Sequence, residues 1–357
     1  MVSWGMKLGS VGKSRKVRLC YIDGFAGPWQ AADAELSDTS IHIGLLALEE
    51  AQKTWSEKGV QIEVHAAFVE KDAAAFGELE RYLASRKGLV RTRPCRGEFS
   101  TFVPELVRWI GADPAFVFVD PKGWKGAAMG IIAPLLGAPR RDVLVNVMFD
   151  HINRFKDAPH EFLREQMRDF FGLRDHDLPE GLDEEELFAL YRENLKRICG
   201  IEYAADLAIP HPTIERTKFR LVVGGSDPAV IELFRSVEQR VMSREAAVVR
   251  EDAANRQLLQ KWGQTTLFAT PADVDPSYRS LHDRGLAEAP AQVLEHLTDR
   301  PTPFRQVWPR VLETCHITKR ELAACVWALD HSGALRISNK GARQRTTRDE
   351  HLLEKRR

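Results

Sequence analysis

Over the first 150 residues, short apolar runs alternate with stretches whose apolar positions recur at helical spacing. The pattern predicts strands at residues 17–22, 62–69, 89–95, 115–119 and 143–149, separated by helices at 41–55, 73–85, 102–110 and 127–136. Two of these strands, Phe116-Val117-Phe118-Val119 and Val143-Leu144-Val145-Asn146-Val147, are almost wholly apolar, as strands covered on both faces are. Strand–helix alternation of this kind predicts a parallel sheet with helices on both sides.

Residues 156–200 interrupt the alternation. They carry helical patterns at 160–171 and 184–198 and hold 12 acidic against 7 basic residues, so a polar, acidic helical insert is expected. Strand character returns at 202–209 and 218–223 with no long helix between, which predicts an antiparallel hairpin closing the sheet, and a helix follows at 228–243. The stretch 251–278, rich in Pro and Asp, reads as a linker. Beyond it, helical patterns at 290–297, 305–314 and 319–331 precede a strand-like run at 334–337 and the turn Asn339-Lys340-Gly341. Thr318 stands where the third of these helices needs an N-cap. Three helices followed by a small hairpin form a winged-helix-like layout. The expected organisation is an α/β domain at 1–250 with its insert, the linker, a winged-helix-like domain at 279–341 and a basic tail at 342–357.

A chain of 357 residues with 44% hydrophobic side chains has room for two or three packing units. No run approaches the ~18 apolar residues of a spanning helix, and the basic N-terminal stretch lacks the apolar core of a secretory signal, so a cytoplasmic location is expected and no membrane partner. Cys20, Cys95, Cys199, Cys315 and Cys325 form no C-x-x-C pair, which points to buried free thiols and to no structural metal. The 51 basic and 51 acidic residues cancel over the whole chain but not along it. From Arg300 onward there are 13 basic and 6 acidic residues, a net of +7, leaving −7 for the rest. A basic end on an acidic body is a reason to consider a polyanionic partner.

The segment Tyr21-Ile22-Asp23-Gly24-Phe25-Ala26-Gly27-Pro28 has the composition of a ligand-binding turn. An apolar strand ends in an acid, and Gly24, Ala26 and Gly27 leave space for a ligand to approach the backbone. A tight strand-to-helix connection without a ligand uses similar residues, so the turn alone does not decide. Its neighbours add weight, because four successive predicted strands end in Asp23, Glu70, Glu98 and Asp120, on the edge where open α/β sheets bind ligands. The turn has neither the lysine of a triphosphate loop nor the G-x-G-x-x-G of a dinucleotide site. It suits S-adenosylmethionine, whose methionine end carries an amine that a carboxylate can hold.

The same run resembles motif I of class I S-adenosylmethionine-dependent methyltransferases and, more closely, the three-Cys-motif partner proteins. The resemblance continues through Gly97-Glu98-Phe99, Phe118-Val119-Asp120-Pro121, the block from Val145 to Phe155, and Gln264-Thr265-Thr266-Leu267-Phe268. It implies a class I methyltransferase-like Rossmann sheet, a nucleoside cofactor, and a separate cysteine-motif protein as companion. Carried over residue by residue, it places Asp23, Gly24, Phe25, Ala26 and Gly27 at the methionine end, Glu70 at the ribose, and Gly97 and Glu98 at the adenine. Trp29 stands where the methyltransferase turn often has another glycine, a departure that bears on the cofactor pose.

Asp120-Pro121-Lys122-Gly123-Trp124 resembles in its first residues the D-P-P-[YF] loop of amino-methylating nucleic-acid enzymes, in which an Asp accepts from the exocyclic amine and an aromatic ring stacks on the base. Asp120, Pro121, Lys122 and Trp124 are therefore the candidate catalytic residues. Trp124 either stacks on a base or packs under a neighbouring helix. The pairing of Glu98 with Asp120-x-Lys122 also matches the carboxylate and lysine pattern of metal-dependent nucleases. Asp150, Asn153 and Arg154 cluster after the fifth strand, either at the pocket rim against the substrate or as anchors of the insert. His42 and His65 are isolated and read as structural. In the C-terminal segment Lys319 and Arg320 open a helix, and Arg336 and Lys340 follow on the hairpin, positions from which phosphates of a nucleic acid could be neutralised. A winged helix used only for protein contacts fits the same layout.

Overall fold

The computed structural model of the chain describes residues 17–27, 39–124, 126–155, 160–173, 178–210, 216–242, 276–341 and 343–356. The chain divides into two compact units, Met1–Val230 and Ile231–Arg357. Pro28, Trp29, most of the expected linker and the 264–268 block lie outside the described residues.

In the first unit β1 (Val17–Asp23), α1 (Ser40–Glu57), β2 (Ile62–Glu70), α2 (Ala73–Ser85), β3 (Arg91–Arg96), α3 (Phe99–Ile110), β4 (Ala115–Val119), α4 (Met129–Leu136) and β5 (Arg141–Val147) alternate as the apolar pattern predicts. There follow α5 (Phe149–Phe155), α6 (Glu161–Phe171), α7 (Glu184–Cys199), β6 (Tyr203–Pro210) and β7 (Thr217–Gly225). The sheet has seven strands in the order β3-β2-β1-β4-β5-β7-β6. β1 to β5 are parallel, while β7 runs antiparallel to both β5 and β6 and closes the sheet as a hairpin. This mixed, mostly parallel sheet matches the methyltransferase-like Rossmann expectation.

Alternation along β1 sends side chains to two cores. Leu19 and Tyr21 join Ile41, Leu45 and Leu48 of α1 and Leu79 and Leu83 of α2. Cys20 and Ile22 join Val103 and Leu106 of α3, Ile132 and Leu135 of α4, and Phe171, Leu187 and Tyr191 of the insert. Each such aliphatic side chain, fully buried, contributes roughly 1.5–3 kcal/mol. The insert is thus acidic on one face only, and its other face completes the core. Asp183 and Glu186 form a capping box that starts α7, and Asp72 accepts from Ala74 N (3.0 Å) and Ala75 N (2.9 Å) to start α2.

A buried ionic cluster fastens α7 to the hairpin. Arg220 of β7 is 1% exposed and pairs with Asp206 of β6, which is 2% exposed and also receives Arg192 of α7. The same guanidinium reaches Glu184 and Glu185, each at 2.7 Å, and lies over the Phe188 ring at 4.8 Å.

The second unit takes up α8 (Ala229–Met242) from Ile231 onward, then α9 (Pro276–Glu295), β8 (Thr302–Pro303), α10 (Phe304–Thr314), α11 (Lys319–Ser332), β9 (Leu335–Ile337) and β10 (Leu352–Lys355). Its antiparallel sheet is ordered β8-β10-β9, around a core of Phe304, Trp308, Leu312, Leu322, Val326, Leu335 and Leu353. Arg235 of α8 is buried and donates to the carbonyls of Leu312 (2.8 Å) and Glu313 (3.0 Å) and to Glu238 (2.5 Å). Thr318 caps α11 in a capping box with Glu321, as the sequence predicts.

Three expectations are corrected. The segment expected as a basic tail after Gly341 contributes a strand, because Leu352–Lys355 pairs with both β8 and β9. α9 begins at Pro276, fourteen residues before the predicted helix, and accommodates Pro290 in its interior. The polar block after the fifth strand is a helix, α5, and the strand itself ends at Val147. Among the described residues no helix is long and apolar enough to cross a membrane.

Candidate functional site

The order of the sheet reverses between β1 and β4, and a cleft of about 450 Å³ opens there, at the carboxyl ends of the strands. That volume is within the ~300–1,000 Å³ range of small-molecule sites. Gly24, Phe25 and Gly27 line it from the turn after β1, Glu70 from β2, Gly97 and Glu98 from the exit of β3, and Asp120 and Lys122 from the loop after β4.

The turn after β1 is tied on two sides. Gly24 N donates to Phe118 O (3.0 Å) and Ala26 N to Val69 O (2.8 Å), so the backbone is fastened to β4 and β2 and Ala26 is buried beneath it. Asp23 accepts from Phe25 N at 3.1 Å. A Cβ on Gly27 would overlap the Glu70 carboxylate, whose Oε1 accepts from Asp72 N at 2.6 Å. A larger residue there would require the Glu70 carboxylate to move. Gly97 has φ +148, a conformation that favours glycine, and its N–H donates to Glu70 O at 2.9 Å. Phe25 and Phe99 face each other with ring centroids 5.5 Å apart, forming an apolar wall.

Asp23 is 2% exposed, and burial pushes its carboxyl up to about 7 against the pull of the Phe25 N–H, with Asp120 and Glu70 raising it further. Burial also raises Asp120, opposed by a hydrogen bond that its Oδ1 accepts from Asn146 Nδ2 at 2.8 Å. Among the described residues, the charged neighbours that act on Asp23 are both acids. The cleft's own lining sets Glu70, Asp72, Glu98 and Asp120 against Lys71 and Lys122, so acids outnumber cations there.

Of the predicted residues, Gly24, Phe25, Gly27, Glu70, Gly97, Glu98, Asp120 and Lys122 line this cleft, while Asp23 and Ala26 are buried and do not line it. Pro121 is buried, and Lys122 and Glu98 are exposed. Trp124 is placed otherwise. Its ring is 8% exposed within the main core and its indole N–H donates to Gln166 of α6 at 3.0 Å, so it packs under a helix and is not offered to a base. Asn153 and Arg154 are exposed on α5 and do not line the cleft, while the side chain of Asp150 lies outside the described residues. Although Glu98, Asp120 and Lys122 share the cleft, no group of three His, Cys, Asp or Glu among the described residues is arranged to hold a metal ion.

In the second unit Lys319 is engaged internally, 3.0 Å from Asp349 and 3.5 Å from Glu232, with its ammonium 4.3 Å from the Trp308 ring centroid. Lys340 pairs with the buried Asp330. Arg320 and Arg336 are exposed. The basin beside Lys319 and Arg320, about 450 Å³, is bordered also by Arg348 and by acidic Glu232, Asp349 and Glu350, so its charge is mixed.

Sequence reasoning missed Lys71, Asp72, Phe99 and Gly126 in the cleft lining and the pairing of Asn146 with Asp120. The signal for Asn146 was present, a lone amide inside Val-Leu-Val-Asn-Val.

No protein-family model and no curated protein sequence matches the chain. Solved structures similar to it include the O-methyltransferase TomG from Streptomyces achromogenes in complex with SAM, at 14% identity and TM-score 0.29 over 58% of this chain and 73% of that one. Loganic acid methyltransferase with SAH is similar at 12% identity and TM-score 0.30, over 59% of this chain and 71% of that one. The protein LPL1258 from Legionella pneumophila is similar at 9% identity and TM-score 0.32, over 63% and 82%. Each likeness is remote, and the chemistry of the cleft follows from this chain's own residues.

Proposed function

We propose that the chain binds S-adenosylmethionine at the carboxyl edge of its sheet and is a methyltransferase acting on nucleic acid. The observation that carries this reading is the pair of carboxylates that line the cleft, Glu70 and Asp120, with Asp23 buried at the end of β1 and acted on only by these acids among the described residues. S-adenosylmethionine brings two positive charges, its sulfonium and its amine, to offset them. The turn fits the same ligand. Glu70 lines the cleft and can accept from ribose hydroxyls, and Phe25 with Phe99 gives an apolar wall beside Glu98 for the adenine.

When bound, this cofactor supplies an electrophilic methyl group. The chain's own task is to orient the acceptor and exclude water, which is where such a transfer gains most of its rate. Asp120 stands at the acceptor end of the cleft to hold the acceptor, and Lys122 is exposed at the rim where it can meet an anionic substrate. Nucleic acid is favoured by the second unit, whose α9-β8-α10-α11-β9-β10 order after α8 is winged-helix-like and whose Arg320 and Arg336 are exposed.

One observation favours a second reading. With Trp124 committed to the core, the loop after β4 offers no indole for base stacking, which suits a nucleoside-binding companion of another protein, as the three-Cys-motif resemblance implies. Incubation with S-adenosylmethionine labelled at the methyl group, against pools of DNA, RNA and protein, separates the two. Label is expected in a nucleic-acid pool and absent with Asp120→Ala. Label in protein alone contradicts the substrate class, and binding without transfer to any pool favours the companion.

A further inference from the structure

β5 ends in Val143-Leu144-Val145-Asn146-Val147, and Asn146 is the polar residue of that apolar run. Its Oδ1 is buried without a hydrogen-bond partner, an arrangement that costs free energy and that an apolar side chain would avoid. Its Nδ2 donates to Asp120 Oδ1 at 2.8 Å across the β4–β5 boundary. The reverse amide orientation would set two oxygens against each other, so the contact fixes which end of Asn146 faces Asp120. Among the described residues this is the hydrogen bond that Asp120 receives, and Asp120 itself lines the cleft. Two further links hold the same loop, Gly123 N to Met148 Sδ at 3.1 Å and Trp124 Nε1 to Gln166 Oε1 at 3.0 Å.

A carboxylate held by one oxygen and presented by the other accepts hydrogen bonds and donates none. Asp23 and Glu70 disfavour a further anion deep in the cleft, while the cations that line it, Lys71 and Lys122, are exposed at its rim. An acceptor group that is itself a carboxylate would meet repulsion here, whereas an amine bearing N–H would be held with its nitrogen facing the cofactor end of the cleft.

We propose that Asn146 is a positioning residue which fixes the Asp120 carboxylate, so that its other oxygen selects an N–H-bearing amine as the group to be methylated. The inference rests on the cofactor reading given above and extends it to the acceptor chemistry. Removal of the donor leaves Asp120 free to turn away from the acceptor, while the turn after β1, which receives the rest of the cofactor, is untouched.

A binding measurement tests this without any turnover. Sinefungin carries a CH–NH2 group where S-adenosylmethionine carries its methylsulfonium, and so sets an amine at the acceptor end of the cleft, while S-adenosylhomocysteine has nothing there. The ratio of their affinities is read by calorimetry in the wild type, in Asn146→Ala and in the nearly isosteric Asn146→Leu. We expect sinefungin to be preferred in the wild type and that preference to fall roughly tenfold in both variants, the scale of one charge-assisted hydrogen bond, with S-adenosylhomocysteine affinity unchanged. A merely structural role would weaken both ligands together and leave the ratio as it was, and that result overturns the assignment of Asn146 alone. Failure of the wild type to bind either ligand overturns the assignment and the cofactor reading together.

Discussion

At the β6–β7 hairpin, Asp206 and Arg220 are buried as deeply as Asp23 is at the end of β1, yet the two places are charged in opposite ways. Arg220 meets Asp206, Glu184 and Glu185, and Asp206 also meets Arg192, so each buried charge has an opposite charge within contact. Asp23 has Asp120 and Glu70 as charged neighbours, which only add to its burden, and among the described residues its compensation is the backbone N–H of Phe25. Charge buried with its partners fastens one element to another. Charge buried among like charges has no such structural return, and an unmatched carboxylate group beside a cleft is where a cationic ligand belongs.

Breaking the matched cluster carries the largest expected effect. Arg220→Ala leaves Asp206 buried with Arg192 as its remaining partner and frees the start of α7, so urea unfolding is expected to show a loss of about 3–5 kcal/mol. A loss below about 1 kcal/mol would mean that the cluster does not hold the insert, and the contrast with Asp23 would fail.

The unmatched carboxylate gives a smaller effect of opposite sign. Asp23 keeps its proton in the folded chain up to about 7 but loses it near the ordinary value of 3.8 when unfolded. Between those values the folded state binds more protons, so the contribution of Asp23 to stability is greatest below pH 4 and falls as pH rises to about 7. Asp23→Asn is expected to flatten that fall, by an amount on the order of a few kcal/mol, and to be at least as stable as the wild type at neutral pH. Thermal or urea unfolding from pH 4 to pH 8 checks it, and an unchanged pH profile would show that Asp23 is not held protonated.

The difference between the two clusters also separates what was legible in the chain. The sheet was legible because β4 and the end of β5 are runs of Val, Leu and Phe that burial on both faces explains and the other strands alternate with helical patterns, and the acids at their ends were legible because strand ends of a parallel sheet lie on one edge. The pairing of Asp206 with Arg220 was not, since it depends on which strands are neighbours, and neither was Asn146 with Asp120, for the same reason. Trp124 follows Lys122 and Gly123 in a loop, and its burial depends on Gln166 and the insert, forty residues away. β10 is four residues with two charges, too short to carry a periodic signal, and its pairing with β8 and β9 rather than its own pattern makes it a strand. Lys319 and Lys340 looked available for phosphate and proved to be paired with Asp349 and Asp330, a reminder that a basic count does not say which cations are already neutralised.

The measurement that bears most directly on this account is calorimetric titration of S-adenosylmethionine into the full chain and into Asp23→Asn. Saturable binding to the wild type, weakened at least tenfold in a variant that keeps its fold, is the predicted result. No heat of binding in the wild type, or equal affinity in the two proteins, would contradict the claim that the unmatched carboxylates exist to receive a cationic cofactor.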